Sequence, residues 1–276
     1  MPRHERNNLR LTFPNMDESV VDVDRVIGWL QNFQVNLKTI GFKSVSDLPK
    51  IEGSALVIDK SMASTQFFKQ LPAIKNYKGT LIVCDRALYH TIKYNASGYV
   101  CNLDSSPICL SFFDRPDVKK VMKKITAIFA VTTNPLTIRH WHGARYFFTP
   151  YMMGLTNTLM QKSGTPNIRT GGQVACFAWI LAKVLGANPI GTFGITHSCD
   201  DITETEYPSL DHVRINGPHG LCWQDAVYRF YNDTFLQCIK QGKEFGVKTV
   251  NCSKSGLLYS GDVVDMSLKQ FVNKYG

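Results

Sequence analysis

The sequence predicts an α/β fold with a doubly wound, mostly parallel, Rossmann-like sheet. Short apolar runs without polar alternation recur along the chain, as expected for strands that are buried on both faces. Segments with helical spacing of apolar residues separate most of these runs, and such alternation is typical of a parallel sheet with crossover helices. Hydrophobic residues make up 44% of the 276 residues, which is enough for a large core.

The N-terminal part of the chain differs from the rest. Apolar residues recur at helical spacing between residues 17 and 34, which predicts an amphipathic helix. The strand–helix alternation begins only at residue 54. We therefore divide the chain into an N-terminal helical extension, residues 1–50, and one Rossmann-like α/β domain, residues 51–276.

The α/β domain is predicted to contain seven strands separated by helices. The strands cover residues 54–59, 80–85, 99–104, 125–132, 144–149, 189–195 and 247–251. The helices cover residues 65–71, 87–94, 116–124, 172–185 and 223–245.

The first three strands each end in an aspartate: Asp59, Asp85 and Asp104. Ligands of open parallel sheets bind beyond the carboxyl ends of the strands. Carboxylates at the ends of neighbouring strands would together hold Mg²⁺, which takes oxygen ligands and bridges to substrate phosphates. Each aspartate alone is also explained as a helix N-cap. The occurrence of all three favours a ligand-binding site at the carboxyl edge of the sheet.

A glycine pair stands directly before a strongly apolar helix, in the string Thr170-Gly171-Gly172-Gln173. Exposed N–H groups at a helix N-terminus attract anions, so this segment is a candidate phosphate site. The alternative is close helix–sheet packing that tolerates no side chain.

The loop after the sixth strand is acidic and contains His197 and Asp200. It would serve as a lid over the site or supply a base, and the alternative is a solvated loop. The chain has no P-loop, no G-x-G-x-x-G and no G-x-S-x-G, which excludes the common NTPase, dinucleotide and hydrolase motifs.

Composition narrows the class of partner. The net charge of +9 is spread along the chain and suits a small anionic substrate, whereas no nucleic-acid-binding module is present. The eight cysteines form no C-x-x-C pair, which favours reduced thiols in the cytoplasm. The longest apolar segment, residues 174–184, is too short to span a bilayer, and residues 1–10 do not resemble a signal peptide. The sequence is compatible with a homo-oligomer as well as with a monomer.

Several strings carry a family resemblance. Residues 80–92, TLIVCDRALYHTI, and residues 99–107, YVCNLDSSP, resemble the archaeal 6-hydroxymethylpterin diphosphokinase (MptE-like) family. That family is itself similar to the motility accessory factors, presumed glycosyltransferases. Further matches are GGQVACFAW at 171–179, GANPI at 186–190 and VNC at 250–252.

The resemblance implies roles for particular residues. The two aspartate motifs are also similar to those of thiamin pyrophosphokinase, which implies that Asp85 and Asp104 are catalytic and bind Mg²⁺. Their positions at the strand ends and at the start of the apolar helix make eight further residues candidates for nucleotide or phosphate binding: Asp59, Lys60, Ser61, Arg86, Ser105, Gly171, Gly172 and Gln173.

The resulting hypothesis is a Mg²⁺- and ATP-dependent diphosphotransferase that acts on a small molecule. The alternatives are a nucleotide-sugar glycosyltransferase, with His197 or Asp200 as base, and a non-catalytic nucleotide-binding protein. Thr196 and Lys254 stand where the family usually has carboxylates. We therefore expect weak 6-hydroxymethylpterin diphosphokinase activity, because a lysine near the site would repel the metal ion.

Overall fold

The structure, a computed structural model, describes residues 23–60, 64–199 and 212–276. Strands are numbered in chain order: β1 Ala55–Ile58, β2 Thr80–Cys84, β3 Tyr99–Asn102, β4 Thr126–Ala130, β5 Arg145–Pro150, β6 Asn167–Ile168, β7 Ile190–Phe193, β8 Val213–Gly217, β9 Gly220–Gln224, β10 Thr249–Asn251 and β11 Val263–Asp265. Nine of them form one sheet, and β8 and β9 form a separate antiparallel hairpin.

The helices lie between the strands. They are α1 Val23–Thr39, α2 Ser64–Gln70, α3 Asp85–Thr91, α4 Leu110–Phe113, α5 Pro116–Val121, α6 Pro135–His140, α7 Thr156–Ser163, α8 Val174–Leu185, α9 Ala226–Glu244 and α10 Leu268–Tyr275. None of the described helices is long and apolar enough to cross a membrane.

The strand order is β11-β10-β7-β1-β2-β3-β4-β5-β6, and all pairings in this sheet are parallel. The chain winds outward from β1 through β6 and then returns to the other side of β1 as β7. The order therefore reverses between β1 and β7, and open α/β sheets bind ligands at such a switch point. This architecture confirms the predicted doubly wound fold.

Successive strand residues face opposite sides of the sheet and enter two separate cores. Leu56 and Ile58 belong to the core beneath α1, α2 and α10, whereas Val57 belongs to the core beneath α8 and α9. Because both faces are covered, β1 carries apolar residues at every position instead of alternating with polar ones.

The structure refines several predicted elements. The seven predicted strands correspond to β1–β5, β7 and β10. The predicted helix over 223–245 begins only at Ala226, because Trp223 and Gln224 pair with β8 as the end of β9. The described part of the N-terminal helix continues to Thr39, and residues 17–22 lie outside the described residues.

Helix α1 is attached to the sheet by buried contacts. Phe33 is buried in the first core. The buried Asn36 side chain donates hydrogen bonds to the carbonyls of Val131 (3.0 Å) and Thr133 (2.8 Å), directly after β4. Asn32 donates to Ser105 (3.0 Å) and thereby joins α1 to the loop after β3.

The close approach of β1 and β7 generates a prediction about Gly194. This residue has a φ of +77°, and a Cβ here would overlap the carbonyl oxygen of Asp59. We expect Gly194→Ala to lower the free energy of unfolding by about 3 kcal/mol or more, since it combines backbone strain with a clash against backbone. Urea denaturation measures this.

Gly246→Ala is the matched control, because Gly246 has a φ of +79° but open space around a Cβ. It should cost only about 1 kcal/mol, the penalty of the left-handed conformation alone. Equal losses in both variants would show that the contact at the switch point is not tight.

Candidate functional site at the carboxyl edge of the sheet

The carboxylate of Asp85 occupies the end of β2, where α3 begins. Asp85 is only 6% exposed. Its Oδ1 accepts a hydrogen bond from the backbone N–H of Arg86 (2.7 Å), and its Oδ2 accepts one from Asn102 Nδ2 (2.6 Å) at the end of β3. The end of the neighbouring strand therefore fixes the orientation of this carboxylate.

Burial raises the pKa of Asp85 to about 7. The hydrogen bonds from Arg86 and Asn102 oppose this shift, whereas the charges of Asp59 and Asp104 add to it. Asp85 is thus close enough to Asp59 and to Asp104 to be affected by the charge of each. Burial also raises the pKa of Asp59, against the lowering effects of a Lys60 backbone hydrogen bond and of the Arg86 and Lys60 charges.

Asp104 lies on the exposed side of the same edge. Its Oδ1 accepts a hydrogen bond from the backbone N–H of Ser106 (2.8 Å), which closes a local turn. The carbonyl of Ser105 accepts hydrogen bonds from Asn134 (3.2 Å) at the start of α6 and from Asn32 of α1. Two helices therefore hold the loop that carries Asp104 and Ser105.

Asn102 is a site residue that sequence reasoning missed. It is fully buried, and its Oδ1 has no hydrogen-bond partner among the described residues, although its Nδ2 is bonded to Asp85. An unpaired buried carbonyl oxygen costs free energy unless a ligand or water satisfies it. The signal in the sequence was a polar residue inside the otherwise apolar third strand.

The donor set fits Mg²⁺. Within residues 23–60, 64–199 and 212–276, no group of three or more His, Cys, Asp or Glu side chains is close enough to hold a metal ion. Mg²⁺ does not need such a cage, since it is usually bound by one or two carboxylates together with waters and substrate phosphates. Asp85 and Asp104 would provide those carboxylates, and Asn102, bonded to Asp85 through Nδ2, carries a further unpaired oxygen.

Cationic and hydroxyl groups border the aspartates. Arg86 is exposed and Lys60 is half-buried, and the charges of both lower the pKa of Asp59. Tyr228, in the first turn of α9, was not predicted. Its pKa is raised by burial and by Asp225 and Asp59 and lowered by Arg86, which places its ring beside the same edge. Ser61 lies outside the described residues.

The glycine pair before α8 is required by packing. Gly171 and Gly172 have φ values of +62° and +78°. A Cβ on Gly172 would lie 2.9 Å from the Tyr231 ring of α9, and the Gly172 N–H donates to Thr170 Oγ1 (3.3 Å). Close packing therefore accounts for both glycines. Anion binding by this segment, including Gln173, stays a prediction.

His197 is buried, at 2% exposure, and its backbone has a φ of +51°. Its Nε2 lies 2.9 Å from Gln173 Oε1 of the α8 N-terminus, and its Nδ1 lies 3.1 Å from Asn232 Oδ1 of α9. Gln173 Nε2 in turn donates a hydrogen bond to the Tyr231 carbonyl of α9 (3.2 Å).

Burial lowers the pKa of His197 to about 4, so the ring is neutral at neutral pH. The structure thus places His197 in an interior contact that joins α8 to α9. Asp200, predicted with it as a lid or base residue, lies outside the described residues.

Lys254 is paired away from the aspartates. Its Nζ lies 2.7 Å from Asp265 Oδ2 at the end of β11, three strands from β1. At about 4.8 Å per strand this separation is about 14 Å. Thr196 Oγ1, the other departure from the family pattern, donates to the Ser198 carbonyl (2.9 Å). The charge of Lys254 is therefore balanced locally.

The fold and the acidic edge at its switch point define the chain as a doubly wound, Rossmann-like α/β protein. Residues 67–201 match the family model described as 6-hydroxymethylpterin diphosphokinase MptE-like. This match confirms the family resemblance predicted from the sequence and includes Asp85 and Asp104.

The MAf glycosyltransferase from Magnetospirillum magneticum AMB-1 has a similar structure. The TM-score is 0.66 at 13% sequence identity, over 90% of this chain. The chain spans only 39% of that protein. The likeness therefore shows a shared fold. No protein of curated function matches the chain.

The burial of Asp85 predicts a dependence of stability on pH. Its folded-state pKa of about 7 lies above the value of about 3.9 for an unfolded chain. The associated stability is therefore fully present below about pH 4 and is lost as the pH rises through about 7, by at most about 4 kcal/mol. In Asp85→Asn this component of the pH dependence should vanish.

Urea denaturation between pH 4 and pH 8 measures the effect as the difference between the wild type and the variant. Asp117→Asn, at an exposed position of α5, controls for the change in net charge. Parallel pH profiles of the wild type and Asp85→Asn would contradict a raised pKa.

Proposed function

We propose that the chain is a transferase whose donor is a nucleotide with a diphosphate, bound at the carboxyl edge of β1–β3 with Mg²⁺ held by Asp85 and Asp104. The observation that supports this most strongly is the buried Asp85 carboxylate, which is affected by the charges of two other aspartates and is bonded to Asn102, whose own Oδ1 is unpaired. A divalent cation would relieve the repulsion among these groups and satisfy that oxygen.

The side chains around the aspartates would position the donor. Arg86 and Lys60 carry the positive charge that suits phosphate oxygens. Mg²⁺, when bound, would neutralise charge that develops on the transferred group. Tyr228 would present its hydroxyl, which is protonated at neutral pH, as a hydrogen-bond donor. Catalysis of this type depends on positioning and electrostatic stabilisation.

Within this class, diphosphotransfer from ATP is the leading reaction, because the family model that matches residues 67–201 is described by that activity. Glycosyl transfer from a nucleotide sugar is the second candidate. It is favoured by the structural likeness to the MAf glycosyltransferase over 90% of this chain. Both reactions would use the same diphosphate site, and the third possibility is nucleotide binding without turnover.

The metal assignment predicts that Asp85→Asn and Asp104→Asn each weaken Mg²⁺-dependent nucleotide binding at least about tenfold, since each removes a carboxylate from a site with few ligands. Calorimetric titration with ATP, with and without Mg²⁺, measures this. Asp117→Asn should bind as the wild type does. Unchanged Mg²⁺-linked affinity in both site variants would refute the assignment, provided that thermal unfolding shows both to be folded.

The choice of reaction predicts the outcome of two assays. Because Thr196 and Lys254 replace carboxylates of the family pattern, we expect slow turnover of ATP and 6-hydroxymethyl-dihydropterin, below about 1 s⁻¹. Release of AMP measures this reaction, and hydrolysis of UDP- and CMP-sugars measures the alternative. Faster pterin turnover would show that the missing carboxylates are dispensable, in keeping with the pairing of Lys254 to Asp265.

A further inference from the structure

A surface cluster of aromatic rings and cations lies beside the proposed site. It consists of Phe68 on α2, Tyr89 and His90 on α3, and the cations Lys60, Lys93 and Arg115. We call it the α2–α3 cluster. The His90 ring lies 4.9 Å from the Phe68 ring and 5.3 Å from the Tyr89 ring, both in edge-to-face geometry. Phe68 is 42% exposed, so the cluster is open to solvent.

The rings of the cluster are anchored to the sheet. Phe68 packs edge to face on the buried Phe67 (5.5 Å between ring centres). Phe67 in turn stacks on Phe193 at the end of β7 (5.3 Å, 14° between ring planes). The positions of Phe68 and His90 are therefore set by the core at the switch point, and the cluster is preorganised.

The three cations are held by aromatic faces. Lys60 Nζ lies 5.9 Å from the centre of the Phe68 ring. Lys93 Nζ and Arg115 Cζ lie 4.7 Å and 4.4 Å from the centre of the Tyr89 ring. Among the described residues no carboxylate lies within salt-bridge distance of any of the three. A ring positions a cation without cancelling its charge, so the positive charge remains available to an anion.

The pKa of His90 is affected by the positive charges of the cluster. Its pKa is lowered to about 4, first by burial and then by Lys60, Lys93 and Arg115. The groups that face it are Lys60 from the loop after β1, Lys93 from the turn after α3, Arg115 from the segment before α5, and the neutral rings of Phe67, Phe68 and Tyr89. An anion bound there would favour the imidazolium form and raise the pKa of His90, so its binding at a pH near that pKa should be accompanied by proton uptake.

We propose that the α2–α3 cluster binds an anionic group of phosphate type, carried by the acceptor substrate. Helix α3 begins at Asp85, and His90 lies five residues further, about 7.5 Å along the helix axis. This distance is about the length of one small substrate, so a molecule bound at the cluster would also reach the aspartate edge. The identification of the anion as part of the acceptor rests on the proposed function, whereas anion binding itself does not.

The test uses inorganic pyrophosphate as the probe, in EDTA and without nucleotide. Calorimetry should detect binding, and the NMR titration of the His90 ring should show a pKa that rises when pyrophosphate is present. Lys93→Gln and Arg115→Gln should each weaken binding about fivefold, as expected for loss of one exposed cation. Lys120→Gln removes one positive charge from α5 at a residue paired with Asp117 and should bind as the wild type does.

The outcomes separate this inference from the proposed function. Absence of pyrophosphate binding, or equal affinity in all variants, would overturn the cluster as an anion site. Binding of poly-glutamate but not of pyrophosphate would also overturn it, since the surface would then be a protein-docking face. If pyrophosphate binds through Lys93 and Arg115 while Mg²⁺-dependent nucleotide binding is absent, the proposed function fails and the anion site stands.

Discussion

The carboxylate of Asp85 is almost completely removed from water at the end of β2, and the surrounding structure compensates for this burial. Each oxygen of Asp85 accepts one short hydrogen bond, from the Arg86 N–H and from Asn102. These bonds favour the charged form, but desolvation is the larger effect and the pKa remains near 7. A carboxylate held in this state is responsive to any cation that approaches the edge.

The switch point between β1 and β7 determines where this carboxylate can act. Gly194 allows the chain after β7 to pass directly over the carbonyl of Asp59. The Gly194 N–H donates a hydrogen bond to Ser253 Oγ (3.0 Å). The same strand end supplies Phe193, which supports the aromatic rings of α2 and α3. The acidic edge and the cationic cluster beside it therefore share one rigid foundation, with Asp85 at the start of α3 and Lys93 two residues past its end.

Lys254, which departs from the family pattern, affects the aspartate edge less in the folded chain than its charge alone suggests. A lysine in place of an acid changes the formal charge by two units, but Asp265 lies 2.7 Å from Lys254 Nζ on the far side of β10. The long-range effect on the aspartate edge is reduced accordingly, because a close ion pair acts at a distance as a dipole. The lysine at position 254 is thus a local rearrangement of charge and leaves Asp85 and Asp104 in place.

The sequence by itself determined the fold class and the position of the acidic edge. Uninterrupted apolar runs require strands buried on both faces, and three such strands that end in aspartate bring Asp59, Asp85 and Asp104 to one edge, because parallel strands end together. Short or half-exposed strands escaped prediction: β6 has two residues, and the β8–β9 hairpin lacks a clear alternation of buried positions.

Only the tertiary structure decided which polar residues are buried and what they contact. His197 stands in an acidic string that suggests a solvated loop, yet packing of α8 against α9 encloses it. In the sequence Asn102 is a single polar residue within an apolar strand. Its role follows from the 2.6 Å hydrogen bond to Asp85 at the end of the neighbouring strand. Contacts of this kind depend on which strands become neighbours and on how helices cross, and local periodicity carries no information about either.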